Sequence, residues 1–218
     1  MRTDIMFTLR TLLEGKWAIL VLIATTASVL WWCPWRWMAA TPLALLVFTF
    51  SFFRDPTRVI PADPFLIVAP TDGTVVEIRT VQEPLYLHGE AQLVGIFMSV
   101  FNVHVQRAPV TGRIECVRYS PGKFLDVRDP VAGTVNENRF IGIAGADGAR
   151  YGVRQIAGLI ARRIVGWAGE GATVTKGERI GMIRFGSRVD LLLPMNAEIV
   201  AKIGDHVKGG ETLLAKRK

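Results

Sequence analysis

Glu178-Arg179-Ile180-Gly181-Met182-Ile183-Arg184-Phe185-Gly186-Ser187-Arg188-Val189-Asp190-Leu191-Leu192-Leu193-Pro194 is a largely apolar stretch interrupted once by a Gly-Ser pair. Each flank has the length and composition of a strand, and Pro194 closes the second, so the stretch predicts two strands meeting at Gly186-Ser187. Taken alone, a glycine and a serine in such a run form a β-bulge or a tight bend. From Val59 onward the texture is the same, with short β-branched runs separated by Gly, Pro and Asp. Strands are predicted at 67–68, 74–78, 93–98, 103–105, 113–119, 141–143, 180–183, 189–193, 199–203 and 212–214. Gln155 to Val165 alone offers a helical face, and its isoleucines suit a strand equally well. The expected fold is mainly β, a compact sandwich or barrel-like domain.

A weak internal repeat supports that expectation. Gly171, Val174, Gly177 and Glu178 recur 33 residues later as Gly204, Val207, Gly210 and Glu211. These turns resemble those of lipoyl/biotinyl β-sandwiches (barrel-sandwich folds), in which two quasi-equivalent halves pack together. A carrier domain of that kind needs a lysine at the hairpin tip, and Pro194-Met195-Asn196-Ala197 has none, so the repeat reads as scaffold.

The chain has 218 residues, half of them hydrophobic, and a mean hydropathy of +0.31, which is high for a water-soluble protein. The excess lies at the front. Residues 17–32 and 37–53 are apolar runs near the lower length limit for crossing a bilayer, with tryptophans at 17, 31, 32, 35 and 37 around their ends. Basic residues lie before the first run (Arg2, Arg10, Lys16) and after the second (Arg54, Arg58), with Arg36 between. Residues 1–58 therefore read as a helical membrane hairpin, spanning or re-entrant, with both ends on the cytoplasmic face, and residues 59–218 as a separate β domain. Residues 1–16 have the spacing of a short interfacial helix. A cleavable signal is disfavoured, because the first run is long and a second follows it. A net charge of +7 and a pI near 9.8 suit an acidic lipid surface better than nucleic acid, given the apolar runs in the same chain. Cys33 and Cys116 are far apart and indicate no disulfide framework.

Several blocks between residues 52 and 190 resemble the phosphatidylserine decarboxylases in its short, pyruvoyl-dependent form. They are Phe52-Phe53-Arg54-Asp55-Pro56, Ala69-Pro70-Thr71-Asp72-Gly73, Phe101-Asn102-Val103-His104-Val105 with Arg107-Ala108-Pro109, Asn136-Glu137-Asn138-Arg139, Gln155-Ile156-Ala157-Gly158 leading to Ala161-Arg162-Arg163, and Phe185-Gly186-Ser187. Longer members carry Leu-Gly-Ser-Thr at the last of these. The resemblance implies self-cleavage between Gly186 and Ser187 into a β chain (1–186) and an α chain (187–218) that stay together as a heterodimer, with or without further oligomerisation. It also implies that Ser187 becomes a pyruvoyl group, whose carbonyl takes the substrate amine as a Schiff base and converts phosphatidylserine to phosphatidylethanolamine. The chemistry is coherent, because loss of carbon dioxide from an α-amino acid needs an electron sink that no ordinary side chain supplies. No lysine lies in a recognisable pyridoxal phosphate setting, and no metal is implied.

For the acid–base work the resemblance points to His104. His88 and His206 lie in a loop and in a repeat turn, and read as structural. Asn102 stands where longer members have a second histidine, which leaves open which family histidine His104 represents. Asp72 in Asp-Gly has an ordinary turn reading; the family instead places such an aspartate beside the histidine, as the third member of a relay. Arg107, Arg188, Asn136 and Glu137 are candidates for holding the anionic phospholipid, and Arg54 and Arg58 are further candidates for its phosphate, each equally readable as a solvated charge. The competing reading is a non-catalytic, membrane-anchored adaptor with a lipoyl-like β domain.

Overall fold

A computed structural model of the chain describes residues 7–129, 131–159, 163–184 and 186–217. It forms two compact units, Met1–Thr57 and Arg58–Lys218.

In the first unit, helix α1 spans Leu9–Trp32, a 3₁₀ turn covers Arg36–Ala39 and helix α2 spans Ala40–Phe52. Thr8 caps α1 in a reciprocal box with Thr11, and its hydroxyl also donates to Asp55 at 3.2 Å. Cys33 is extended, as the residue before Pro34 must be, and ends the helix. The separate interfacial helix expected over 1–16 is not seen in its described part. Leu9–Lys16 continues without a break into the apolar run, since no proline intervenes, and residues 1–6 lie outside the described residues. At 24 residues, α1 is the one helix among the described residues long and apolar enough to cross a membrane; α2, with 13, is shorter than that.

Among the described residues the second unit has fourteen strands: β1 Leu66–Val68, β2 Gly73–Glu83, β3 Gly89–Met98, β4 Val105–Arg107, β5 Gly112–Ser120, β6 Asn138–Gly145, β7 Arg150–Ala157, β8 Arg163–Gly166, β9 Thr173–Val174, β10 Arg179–Arg184, β11 Ser187–Leu193, β12 Ala197–Ile199, β13 His206–Val207 and β14 Leu213–Arg217. One four-residue helix, α3 Ala132–Val135, accompanies them. The domain is mainly β, as expected. Three details of the sequence reading change, the first being the strand placed at 199–203, which keeps only Ile199 at the end of β12 because the Lys202–Asp205 turn follows. The helical option for 155–165 fails, because β7 runs through Ala157 and β8 starts at Arg163. The strand placed at 103–105 lies two residues later, since the Ser99–Asn102 turn occupies the preceding stretch.

The strand order reveals a duplication. The large antiparallel sheet runs β13-β2-β3-β11-β7-β6-β5-β9, flanked by the sheets β1-β14-β12 and β4-β10-β8. Exchanging β1–β3 with β4–β6 and β11–β14 with β7–β10 maps this arrangement onto itself, with the pseudo-twofold axis between β11 and β7. The hydrogen bonds repeat too. Val68 N donates to Pro109 O while Arg107 N donates to Pro70 O, and the Gly210 and Gly177 amides bond Ala69 O and Ala108 O, both at 2.8 Å. Val207 pairs with Gly73 as Val174 pairs with Gly112. The four turn glycines of the repeat have φ of 82°, 81°, 96° and 82° at Gly171, Gly177, Gly204 and Gly210. One half, β4 to β10, is contiguous in sequence; the other, β1–β3 with β11–β14, is split around it. Gly186-Ser187 is where the chain crosses back from the inserted half to the split one.

At the equivalent positions Gly73 and Gly112, a Cβ would lie 2.2 Å from Phe97 O and 2.1 Å from Ala144 O. Replacing either by alanine should cost about 1–3 kcal/mol through forced backbone movement. The two losses should add, since the sites lie near opposite edges of the sheet. Thermal melting of the two single variants and the double variant checks both statements.

Candidate active site

β11 is the interior strand on which the site rests. All seven of its residues are buried, and each of Ser187 to Leu192 is paired on both sides, Ser187 with Met98 of β3 and with Ala157 of β7. Alternation along the strand sends Ser187, Val189, Leu191 and Leu193 toward the main core and Arg188, Asp190 and Leu192 to the opposite face. Before it, Gly186 has φ +43°, a left-handed conformation that disfavours any residue with a Cβ.

Ser187 is fully buried, and its Oγ lies 3.4 Å from Met98 Sδ. Thr71 Oγ1 approaches the same sulfur at 3.1 Å and Gln106 Nε2 at 3.7 Å. A thioether is a weak acceptor, so the serine hydroxyl is held by a bond that is easily given up. Gln106 Nε2 also donates to the backbone carbonyl of His104 at 2.9 Å, which brings His104 into this neighbourhood. The His104 ring is buried, and Nδ1 lies 2.9 Å from Asn102 O. A carbonyl only accepts, so Nδ1 carries the proton and, in the neutral ring, Nε2 holds the lone pair of a base. Asn102 is itself fixed by accepting from Ser99 N and Ser99 Oγ at 2.9 and 2.8 Å.

A polar chain backs these residues. Arg139 Nη1 donates to Gln155 Oε1 at 3.0 Å, and Gln155 Nε2 donates to Gln106 Oε1 at 2.8 Å. Burial pushes the Arg139 guanidinium below its ordinary range. Sequence reasoning missed Met98, Gln106 and Gln155. The available signal was a glutamine beside apolar residues in each of two short runs, Val105-Gln106 and Gln155-Ile156, where an unpartnered amide would be expensive.

The other candidates are distributed. Asp72 accepts from Arg58 Nη2 through both oxygens, at 2.8 and 2.9 Å, and from Gly209 N at 2.8 Å. In the other half Thr111 accepts from Lys176 N at 3.0 Å in the equivalent place, so this bond of Asp72 belongs to the repeated turn. Asn136 spends its amide on Leu125 and Ala157, the latter paired with Ser187. Glu137 bonds Tyr119 and, with burial, raises the affinity of that phenol for its proton. Arg107 is buried and donates to Gly177 O in the repeat turn. Arg188 lies on the face away from Ser187, bonded to Asp190 at 2.6 Å and to Glu77. Burial raises the Asp190 carboxyl above its ordinary range against the pull of Arg188. The structure thus sets Ser187 on the Met98 sulfur, links the His104 backbone to that sulfur through Gln106, and places Arg107 at a turn and Arg188 in an ion pair elsewhere.

A cleft of about 320 Å³ reaches Gly186, lined by Phe97 to Val100, Asp126 to Arg128, and Leu159. Arg128 on its rim is exposed and holds the Asp126 carboxyl down at about 2 through hydrogen bonds.

Gln155→Leu should leave a buried guanidinium and the Gln106 carbonyl each short of a partner. The expected loss is at least ~1–3 kcal/mol, read as a lower melting temperature.

Comparison with known proteins places these features in a family. The model described as phosphatidylserine decarboxylase matches residues 45–215. A phosphatidylserine decarboxylase proenzyme of Symbiobacterium thermophilum is 42% identical over 197 residues, covering 90% of each chain. Proteins with the same description from Geobacter sulfurreducens and Oleidesulfovibrio alaskensis are 45% and 47% identical over 195 and 182 residues, covering 89% and 83% of each chain.

Proposed function

We propose, because the chain belongs to the phosphatidylserine decarboxylase family, that it is a self-processing decarboxylase acting on phosphatidylserine. The observation that carries this reading is a buried serine opening an interior strand, preceded by a left-handed glycine and adjoining a cleft. The adaptor reading gives no account of these features.

In the maturation step, Ser187 Oγ attacks the carbonyl carbon of Gly186 and its proton passes to His104. The bond from that carbon to Ser187 N breaks, and the freed amine takes a proton, leaving an ester. Removal of the Cα proton of residue 187 then breaks its Cβ–O bond and releases Gly186 as a carboxylate. The dehydroalanine left behind takes up water and loses ammonia, ending as a pyruvoyl group at the head of β11. That group supplies the electron sink α-decarboxylation requires.

The surrounding residues suit such a group. β11 stays paired to β3 and β7 whether or not the bond before it is intact, so the two chains, 1–186 and 187–218, remain one folded heterodimer. The cleft beside Gly186 admits the serine headgroup, and Arg128 on its rim meets the lipid phosphate. Arg107 and Arg188 support the fold, and Asn136 and Glu137 hold the loop that frames the cleft. His104 serves as base in maturation and as proton donor in turnover. Asp72 acts through its turn, which presents Thr71 to Met98. Helix α1 anchors the protein in the cell membrane with the catalytic unit in the cytoplasm, a reading supported by its length and the basic residues outside the apolar runs.

Intact mass resolves wild type into chains ending at Gly186 and beginning at residue 187, with carbon dioxide released from phosphatidylserine. Ser187→Ala should remain whole and inactive; division of that variant at the same bond rules out the hydroxyl as nucleophile. His104→Ala should stall maturation, and any fraction that does divide should turn over roughly 10²- to 10⁴-fold more slowly. Protease added to right-side-out cells should leave the β unit intact, and its digestion there reverses the orientation.

A further inference from the structure

The carbonyl that Ser187 must attack lies against a glycine whose task nothing above explains. A Cβ built at Gly158, directly after β7, would sit 2.3 Å from Gly186 O, 3.2 Å from Gly186 C and 3.2 Å from Val127 Cγ1. The first distance is far inside any non-bonded contact, and the atom it touches is backbone, which has no rotamer by which to move away. At Gly186 the situation is the reverse: a Cβ there would meet nothing within 4 Å, so only its left-handed φ requires glycine. One glycine permits the conformation and the other provides the room.

We propose that Gly158 is a positioning residue for self-cleavage, and that its missing side chain is the space into which the Gly186 carbonyl oxygen points while Ser187 attacks. The proposal rests on the self-processing reading above. Ala157 pairs with Ser187, and its carbonyl is bonded by Asn136 at 2.8 Å, so the backbone leading into Gly158 is fixed relative to the nucleophile. With Ala157 held in this way, a side chain at 158 is not readily absorbed by moving β7. It must turn the Gly186 carbonyl instead, and a rotation of that carbonyl changes the direction from which Oγ meets its carbon. Attack on a carbonyl is sensitive to such misplacement, at about 10²-fold for an error near 1 Å. Once the bond is cut, Gly186 is a free chain end and the constraint ends with it. The effect of Gly158 therefore belongs to maturation and not to turnover.

The test compares wild type, Gly158→Ala and Gly158→Ala/Val127→Ala, purified as full-length protein. Cleavage is followed by gel and intact mass in the folded, protease-resistant fraction. Carbon dioxide release is measured per cleaved chain. Gly158→Ala is expected to mature about 10²-fold more slowly while its cleaved fraction turns over like wild type. The double variant removes the milder contact with Val127 but leaves the carbonyl contact, and should mature as slowly as the single one. Three results overturn the proposal: normal maturation of Gly158→Ala, rescue by Val127→Ala, or turnover per cleaved chain falling in step with maturation. Failure of both variants to yield any folded precursor also overturns it, since the clash is then relieved by unfolding and not by a turned carbonyl. A wild type that never divides removes the self-processing reading itself, whereas a wild type that divides no faster than Gly158→Ala removes only the role of Gly158.

Discussion

Everything in the site depends on the pairing of β11 between β3 and β7. An interior strand has both rows of backbone groups bonded, so its first residue is held as rigidly as a backbone position can be. Ser187 occupies that residue. The residue before it is a left-handed glycine with no regular partner strand described, so a fixed hydroxyl meets a carbonyl that the sheet does not hold. The left-handed backbone there costs little, because glycine has no Cβ. Beyond that bond, β11, β13 and β14 each pair with a strand that precedes it, and β12 is held through β14.

The duplication gives this placement its logic. Two similar halves meet at β7 and β11, and the chain enters one half, completes the other, and then returns. The return crossing is where a covalent bond is least needed, since hydrogen bonds and the shared core already join what it joins. The halves differ in a way that separates scaffold from chemistry. Asp72 and Thr111 make the same bond to equivalent turns and so belong in part to the scaffold. The chain from Arg139 through Gln155 to Gln106 runs through the inserted half, where β1 of the other half carries only Leu66, Ile67 and Val68. Buried polar groups of this kind persist only when every member is satisfied, and they define one arrangement more sharply than an apolar core does.

Arg107 and Arg188 are both buried. A buried guanidinium must find acceptors within the protein, and both do, at Gly177 and at the Asp190–Glu77 pair. Arg128, which no motif distinguishes, lies on the lining of the cleft, exposed and paired with Asp126.

By itself the sequence determined the β character, the apolar helical front and the Gly-Ser junction. Each is local: alternation, run length and the conformational range of glycine are properties of a few consecutive residues. The 33-residue repeat was legible for the same reason, since its glycines must adopt the left-handed region wherever that turn recurs. The matching Ala-Pro-x-x-Gly of residues 69–73 and 108–112 was equally present, but its different spacing concealed that both belong to one duplication. Only the tertiary structure decided which groups meet. That Met98 lies against Ser187, that Gln155 reaches Gln106 and that Gly158 makes room for Gly186 are consequences of strand register, and register is set by the packing of the whole sheet. The span from Gln155 to Val165 shows the limit most directly: its isoleucines suit either period, and the neighbours β6 and β11 made its beginning a strand.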